Sequence, residues 1–268
     1  MTEWRASGVI TITTDFGHKG PFAAVMIGEI IKRFPEARVI DLAHDIPAHW
    51  PPEAGFWLSR SHSHFPTGTV HVAIVDPGVG TEREILLAMK DGHLFMAPDN
   101  GLLGPILEVA DKIYKLDHDA PAKIGAGTPS LTFHGRDIFA PIAAELAAGK
   151  LDVARIGTET SDWSPGWLED PELGNGRVSG VVVTVDSFGN LITNIDASLI
   201  EGFESAIVHI AGHDIAMNST YGRVKPGEYL ALINSFGVVE IARSEESAAG
   251  GLGCERGAPV IVSDLGEA

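Results

Sequence analysis

Val9-Ile10-Thr11-Ile12-Thr13-Thr14-Asp15-Phe16-Gly17 is the stretch whose reading decides the fold class. Six β-branched residues in succession favour extended backbone, and the run reads as a buried strand feeding a loop. Asp15-Phe16-Gly17 then supplies turn residues. Residues 22–34 follow with Val25, Ile27, Ile30, Ile31 and Phe34 at helical spacing, and Pro35 stops the pattern. A second short strand is expected at 39–42, and a helix at 53–61 introduced by Pro51 and Pro52. A third strand at 70–75 halts at Asp76-Pro77-Gly78. Residues 85–90 and 94–97 read as a hairpin about Asp91-Gly92, and 102–109 and 137–148 as helices. Strands alternating with helices predict an α/β layered domain with parallel pairing. Ligands of such sheets bind beyond the carboxyl ends of the strands, where Asp15 and Asp76 both fall.

The pattern changes over residues 157–176, where Trp163, Pro165, Trp167 and Pro171 stand among acids and glycines without a period. This predicts a linker whose tryptophans pack on a neighbouring surface. The expected organisation is an N-terminal α/β domain over 1–160, a linker over 161–176 and a C-terminal domain over 177–268. Strand patterns at 177–185, 207–210, 229–234, 238–243 and 259–263, with no long helix between them, predict a small β-barrel or sandwich.

Composition excludes several classes of function. With 44% apolar and 21% charged residues in 268, the chain is expected to be globular. Its 36 acids against 19 bases leave a formal charge of −17, which repels nucleic acid and anionic membrane surfaces. The single cysteine, Cys254, rules out an intramolecular disulfide and a Cys-based zinc site. His44, His49, His62 and His64 show no His-Glu-x-x-His spacing, so no metal is expected. No apolar run approaches the ~18 residues of a membrane span. Residues 1–7 carry Glu3 and Arg5 without an apolar signal core, which predicts a cytoplasmic protein. Gly-x-Ser-x-Gly is absent, which argues against an α/β-hydrolase.

Taken singly, the polar motifs have ordinary readings. Asp15 is suited to two vicinal hydroxyls or simply to a turn, and the glycine-rich loop Asp76-Pro77-Gly78-Val79-Gly80-Thr81 matches neither dinucleotide nor P-loop spacing. His134 is a general base or a packed loop histidine, Asp137 a helix N-cap with Arg136 beside it, and 186–190 a β-turn.

In combination and in order they are far more specific. Thr13-Thr14-Asp15-Phe16-Gly17, Val75-Asp76-Pro77-Gly78-Val79-Gly80-Thr81, Ala97-Pro98-Asp99-Asn100-Gly101-Leu102-Leu103, Thr132-Phe133-His134-Gly135-Arg136-Asp137, 186–190 with Asn194, and Asn234-Ser235 resemble the S-adenosyl-L-methionine hydroxide adenosyltransferase family. That family is related to the fluorinases and chlorinases, and the resemblance runs from Thr11 to about Val262. It implies an N-terminal α/β domain, a C-terminal β-barrel, and a homotrimer with sites between subunits. The implied catalytic group is Asp76, Arg83 and His134. The implied substrate contacts are Asp15 for the ribose diol, Trp50 as an aromatic wall, and Asp186 and Ser235 for the amino acid end. Asn190 is a nearby polar contact, Arg243 lines the adenine, and Tyr221 is a candidate for stacking on it.

The halogenating relatives carry Tyr-Pro where this chain has Asp76-Pro77 and Tyr-Ser where it has His134-Gly135, so a halide pocket is not expected. The short stretch 83–98 also leaves no room for the extra fluorinase loop. Two positions depart from the relatives near the amino acid end of the ligand: Gly20, where many have an acid, and Phe236, where the fluorinase has arginine. The expected reaction is hydrolysis of S-adenosyl-L-methionine at C5′ to adenosine and methionine, with no cofactor and no metal. The competing readings are a non-catalytic sensor of adenine nucleosides, which would have no use for Asp76, Arg83 and His134 together, a halogenase, and, more distantly, a metal-dependent deaminase.

Overall fold

The computed structural model describes residues 4–266 and divides the chain into two compact units, Met1–Leu168 and Glu169–Ala268. In the first unit a seven-stranded sheet is built from β1 (Val9–Thr14), β2 (Arg38–Ala43), β3 (Val70–Ile74), β4 (Ile85–Lys90), β5 (His93–Pro98), β6 (Lys112–Leu116) and β7 (Gly157–Glu159). Their spatial order is β2-β1-β3-β5-β4-β6-β7. The neighbours among β2, β1, β3 and β5 are parallel; β4, β6 and β7 join antiparallel. The expected parallel sheet is thus mixed. The cause is local: Asp91 and Gly92 both have positive φ, the geometry of a two-residue hairpin turn, and a hairpin can only be antiparallel.

Helices cover both faces. Side chains of successive strand residues point to opposite faces, so Val70, Val72 and Ile74 enter one core while Ala73 and Val75 enter the other. The first core receives Met26 and Ile30 of α1 (Phe22–Arg33). The second receives Ala54 and Leu58 of α2 (Pro51–Ser61) and Ile106 and Leu107 of α3 (Gly104–Leu107). A short α4 (Ala120–Lys123) follows β6, and α5 (Ala140–Ala147) packs beside α1 in the first core. Each Met, Ile or Leu side chain so withdrawn from water contributes roughly 1.5–3 kcal/mol. The helix expected at 102–109 is limited to α3, and the one expected at 137–148 begins as a π-helical turn, Gly135–Phe139.

The tryptophan-rich segment packs back on the first unit. Trp167 Nε1 donates to Asn100 O (2.6 Å), and the Ser164 amide donates to Asp99 Oδ1 (2.8 Å). The stretch expected to lack regular structure holds β7 at its start and β8 (Glu172–Gly174), which pairs with the strand that follows it, near its end.

The second unit consists of β8, β9 (Arg177–Val185), β10 (Leu191–Asp196), β11 (Ala206–Ile210), β12 (His213–Ala216), β13 (Tyr229–Ile233), β14 (Val238–Arg243) and β15 (Pro259–Asp264), with a five-residue α6 (Ala248–Leu252). The order is β12-β11-β15-β9-β10-β14-β13, and a bridge between Met217 and Ala231 brings the two ends together into a nearly closed barrel. Val178, Leu191, Val208, Ala231, Ile241 and Val262 fill its interior. The register of β9 on β10 shifts, and Asn194 holds that irregularity: its Oδ1 accepts from the Val181 amide (2.8 Å). A side chain at Gly180 would put Cβ 2.4 Å from that oxygen, so glycine is required there. Among the described residues, no helix is long and apolar enough to cross a membrane.

Candidate active site

Parallel pairing of β1 with β3 sets Thr14 opposite Ile74, so Asp15 and Asp76 follow adjacent strands at their carboxyl ends. An aromatic cluster draws the third motif in. Phe133 packs edge-on against Phe16 (6.1 Å between centroids) and Phe22 (5.6 Å). Gly135 lets the chain approach further, because a Cβ there would lie 3.0 Å from Met26 Sδ and 3.4 Å from Ile74. The Asn100 loop is tied to the same strand end, its Nδ2 donating to Val75 O (2.8 Å).

These contacts bring Asp76, Arg83 and His134 into one hydrogen-bonded group. Arg83 Nε is 3.0 Å from each Asp76 carboxylate oxygen, and its Nη2 is 2.5 Å from Oδ2. The same Nη2 lies 2.9 Å from His134 Nδ1. The pair is secluded, the side chains being 11% exposed for Arg83 and 5% for Asp76. A guanidinium has no acceptor, so Nδ1 must accept and the imidazole proton sits on Nε2. Burial, and after it the Arg83 charge, lower the His134 pKa below its usual value, so the ring is neutral near pH 7. A carboxylate and an imidazole N–H are thereby held on either side of one arginine. Arg136 and Asp137 are occupied elsewhere: they pair with each other, and Asp137 also accepts from the Ser130 amide. Asp137 lies inside the π-helical turn and does not cap a helix.

The loop carrying Asp76 cannot shift freely. Gly80 has φ +79°, and a Cβ on it would sit 2.1 Å from Leu131 O. Gly80→Ala is expected to displace the Asp76–Arg83 loop and reduce turnover on the order of 10²-fold. Steady-state kinetics alongside a melting curve would test this; native turnover in Gly80→Ala would mean that the loop does not set the geometry.

Asp15 Oδ2 accepts from the His49 amide (3.1 Å), and His49 has φ +62°. The carboxylate thereby anchors the turn that leads into Trp50, the half-buried residue preceding α2. Asp15 and Trp50, read separately from the sequence, are neighbours through this turn.

In the second unit Asp186, Phe188, Asn190, Tyr221 and Arg243 line one cavity of about 530 Å³. Asp186 closes its own turn, accepting from the amides of Phe188 and Asn190 (2.9 Å each) and from Asn190 Nδ2 (3.0 Å). Arg243 donates to Gly227 O (2.9 Å), pairs with Glu246 (2.6 Å) and stands over the Tyr229 ring. Tyr221 donates to Glu240 Oε1 (2.7 Å). Ser235 is exposed in the turn after β13 and is not part of the cavity wall. Among the described residues, no group of three or more His, Cys, Asp or Glu side chains is placed to hold a metal.

Residues 10–157 match the N-terminal domain of the SAM hydroxide adenosyltransferase family, and residues 180–261 match its C-terminal domain. The chain belongs to this family. Among curated relatives, the (R)-S-adenosyl-L-methionine hydrolase of Thermus thermophilus is 35% identical over 92% of this chain and 96% of its own. The protein of the same name from Salinispora tropica is 37% identical over 92% of this chain and 95% of its own. A crystal structure of an uncharacterized conserved protein from Thermotoga maritima superposes with a TM-score of 0.88 at 32% identity, covering 95% of this chain and 99% of that one.

Within this adenosyltransferase fold, sequence reading overlooked Glu240. It is 3% exposed in the middle of β14, bonded to Tyr221 and to Asn234 Nδ2 (3.1 Å). The available signal was a lone acid inside the apolar run Val238-Val239-Glu240-Ile241-Ala242.

Proposed function

We propose that the protein hydrolyses S-adenosyl-L-methionine at C5′, releasing adenosine and methionine. The observation that carries this reading is the Asp76–Arg83–His134 group, joined by hydrogen bonds at the carboxyl end of β3. The C5′–S bond breaks with its electron pair passing to sulfur. The leaving thioether is neutral, so no acid is needed there. Water oxygen forms the new bond to C5′ and loses one proton. Asp76 accepts that proton, while the Nε2–H of neutral His134 orients the oxygen. Arg83 keeps the carboxylate in register and adds positive charge near the developing hydroxide. Holding water in line with the scissile bond supplies up to about 7–11 kcal/mol in favourable cases.

The proposal extends to substrate contacts and assembly. Asp15 takes the ribose diol, Trp50 walls the nucleoside, and Asp186, Asn190 and Ser235 receive the amino acid end. Tyr221 and Arg243 lie against adenine. Neither cofactor nor metal is required, since the leaving group needs no Lewis acid. The functional form is a homotrimer in which the first unit of one subunit and the second unit of its neighbour share a site, and its setting is the cytoplasm. The trimer and its shared site follow from the family likeness and from the division of substrate-binding residues between the two units.

Purified protein incubated with S-adenosyl-L-methionine is expected to yield adenosine and methionine by chromatography, unchanged by a chelator. S-adenosylhomocysteine as product would overturn the reaction class, and abolition by chelator would overturn the metal-free route. Light scattering is expected to give a trimer; a monomer fully active at high dilution would remove the shared site.

A further inference from the structure

The second unit contains a buried acid with no assigned role. Glu240 lies mid-strand in β14, opposite Leu232 on one neighbour and Ile192 on the other, so its flanks on the sheet are apolar. Among the described residues, no basic side chain lies within ion-pair distance of it. Burial raises its pKa, and the neighbouring Asp186 carboxylate adds to that rise; the hydrogen bonds from Tyr221 and Asn234 oppose it. Burying an acid is costly unless hydrogen bonds offset the lost water, and Glu240 accepts two, from Tyr221 and Asn234.

Each bond fixes a different piece of the surface. Through Oε1, Glu240 holds the hydroxyl of Tyr221, whose ring is half exposed and walls the 530 Å³ cavity beside Asp186 and Asn190. Through Oε2 it holds Asn234 Nδ2. The other amide atom of Asn234, Oδ1, accepts from the amides of Phe236 (2.9 Å) and Val238 (3.3 Å). That shapes the turn on which Ser235 stands. One carboxylate therefore sets both an aromatic wall and a polar turn.

We propose that Glu240 is a positioning residue for substrate recognition, acting through Tyr221 and Asn234 rather than by touching the ligand. This rests on the hydrolase reading above. Because Tyr221 and Ser235 serve binding and not the attacking water, loss of Glu240 acts on KM and spares kcat.

The test is a kinetic comparison of wild type, Glu240→Ala, Glu240→Gln, Tyr221→Phe and the Tyr221→Phe/Glu240→Ala double variant, each with a melting curve. Glu240→Ala is expected to raise KM about tenfold or more, with kcat within threefold. Glu240→Gln retains an acceptor oxygen for Tyr221 but not a second one for Asn234, so it should fall between wild type and alanine. The double variant should be less impaired than the product of the Glu240→Ala and Tyr221→Phe effects, because both substitutions remove the bond between these two side chains. An unchanged KM in Glu240→Ala, a fall in kcat matching the loss of folded protein, or multiplicative effects in the double variant would each overturn the proposal. Wild-type turnover reports separately on the reaction itself. If wild type does not hydrolyse S-adenosyl-L-methionine, the hydrolase reading fails, and adenosine binding by calorimetry in the same five proteins decides the role of Glu240, with Kd taking the place of KM.

Discussion

His134→Ala is expected to lower kcat by about 10²–10⁴-fold while leaving the affinity for S-adenosyl-L-methionine within a few-fold. His134 bonds only to Arg83 in the group, and its Nε2–H is free to meet the attacking oxygen. Asp76→Ala should lose turnover by at least as much, but it also strands the Arg83 guanidinium, 11% exposed, without its carboxylate. Removing one partner of a buried pair costs about 3–5 kcal/mol, so a lower melting temperature should accompany the loss. His134→Ala leaves no such charge and is the cleaner test. Asp15→Ala should instead weaken binding. Calorimetry for affinity and chromatography for turnover separate these effects; native turnover in His134→Ala would remove the residue from the mechanism. The pH profile carries the same information. The His134 pKa is lowered, and the mechanism uses the neutral ring, so kcat should hold as pH falls through 6.5 and decline only below it.

The second large effect concerns stability in acid. His62, His71 and His93 cluster where α2 ends against β3 and β5, separate from the Asp76–Arg83–His134 group. His71 Nδ1 bonds to the Thr11 hydroxyl (2.8 Å), and its Nε2 bonds to His93 Nδ1 (3.1 Å). Its ring stacks on Phe95 (4.9 Å). Burial drives the His71 pKa down to about 3, and lowers those of His62 and His93. A base whose pKa is lower folded than unfolded binds fewer protons in the native state. Stability is then complete above the unfolded pKa of about 6.5 and lost as pH falls toward the folded value. The slope is about 1.4 kcal/mol per pH unit for one such histidine. His71 alone should therefore remove about 2 kcal/mol between pH 6.5 and 5, a large part of a typical 5–15 kcal/mol. Urea denaturation across that interval should show the decline, and His71→Gln should show a flatter one whatever its stability at neutral pH. Equal slopes in the two proteins would refute a buried neutral His71.

Strands and helices with strong local signals are legible in the sequence. The β-branched run at β1, the proline-led α2 and the Asp91-Gly92 hairpin all form where the pattern places them. Elements with weak signals are not. β6 mixes Lys112 and Lys115 with Ile113, Tyr114 and Leu116, and β12 has only four residues. Such strands exist because neighbours supply their hydrogen bonds and cover one face, which short-range propensity cannot report.

By itself the sequence determined the α/β class, the strand-rich second half and the order of motifs that marks the family, because these depend on local period, turn chemistry and motif order. Only the tertiary structure decided how those residues serve each other. It put Nδ1 of His134 against Arg83, which settles the tautomer and makes His134 a donor. It joined Asp15 to the turn before Trp50, and it buried Glu240 beneath Tyr221 and Asn234. Hydrogen bonds between residues 51 or 34 positions apart in the chain leave no trace in local pattern. They arise when buried polar groups must find partners and the packing of the two cores fixes which partners are within reach.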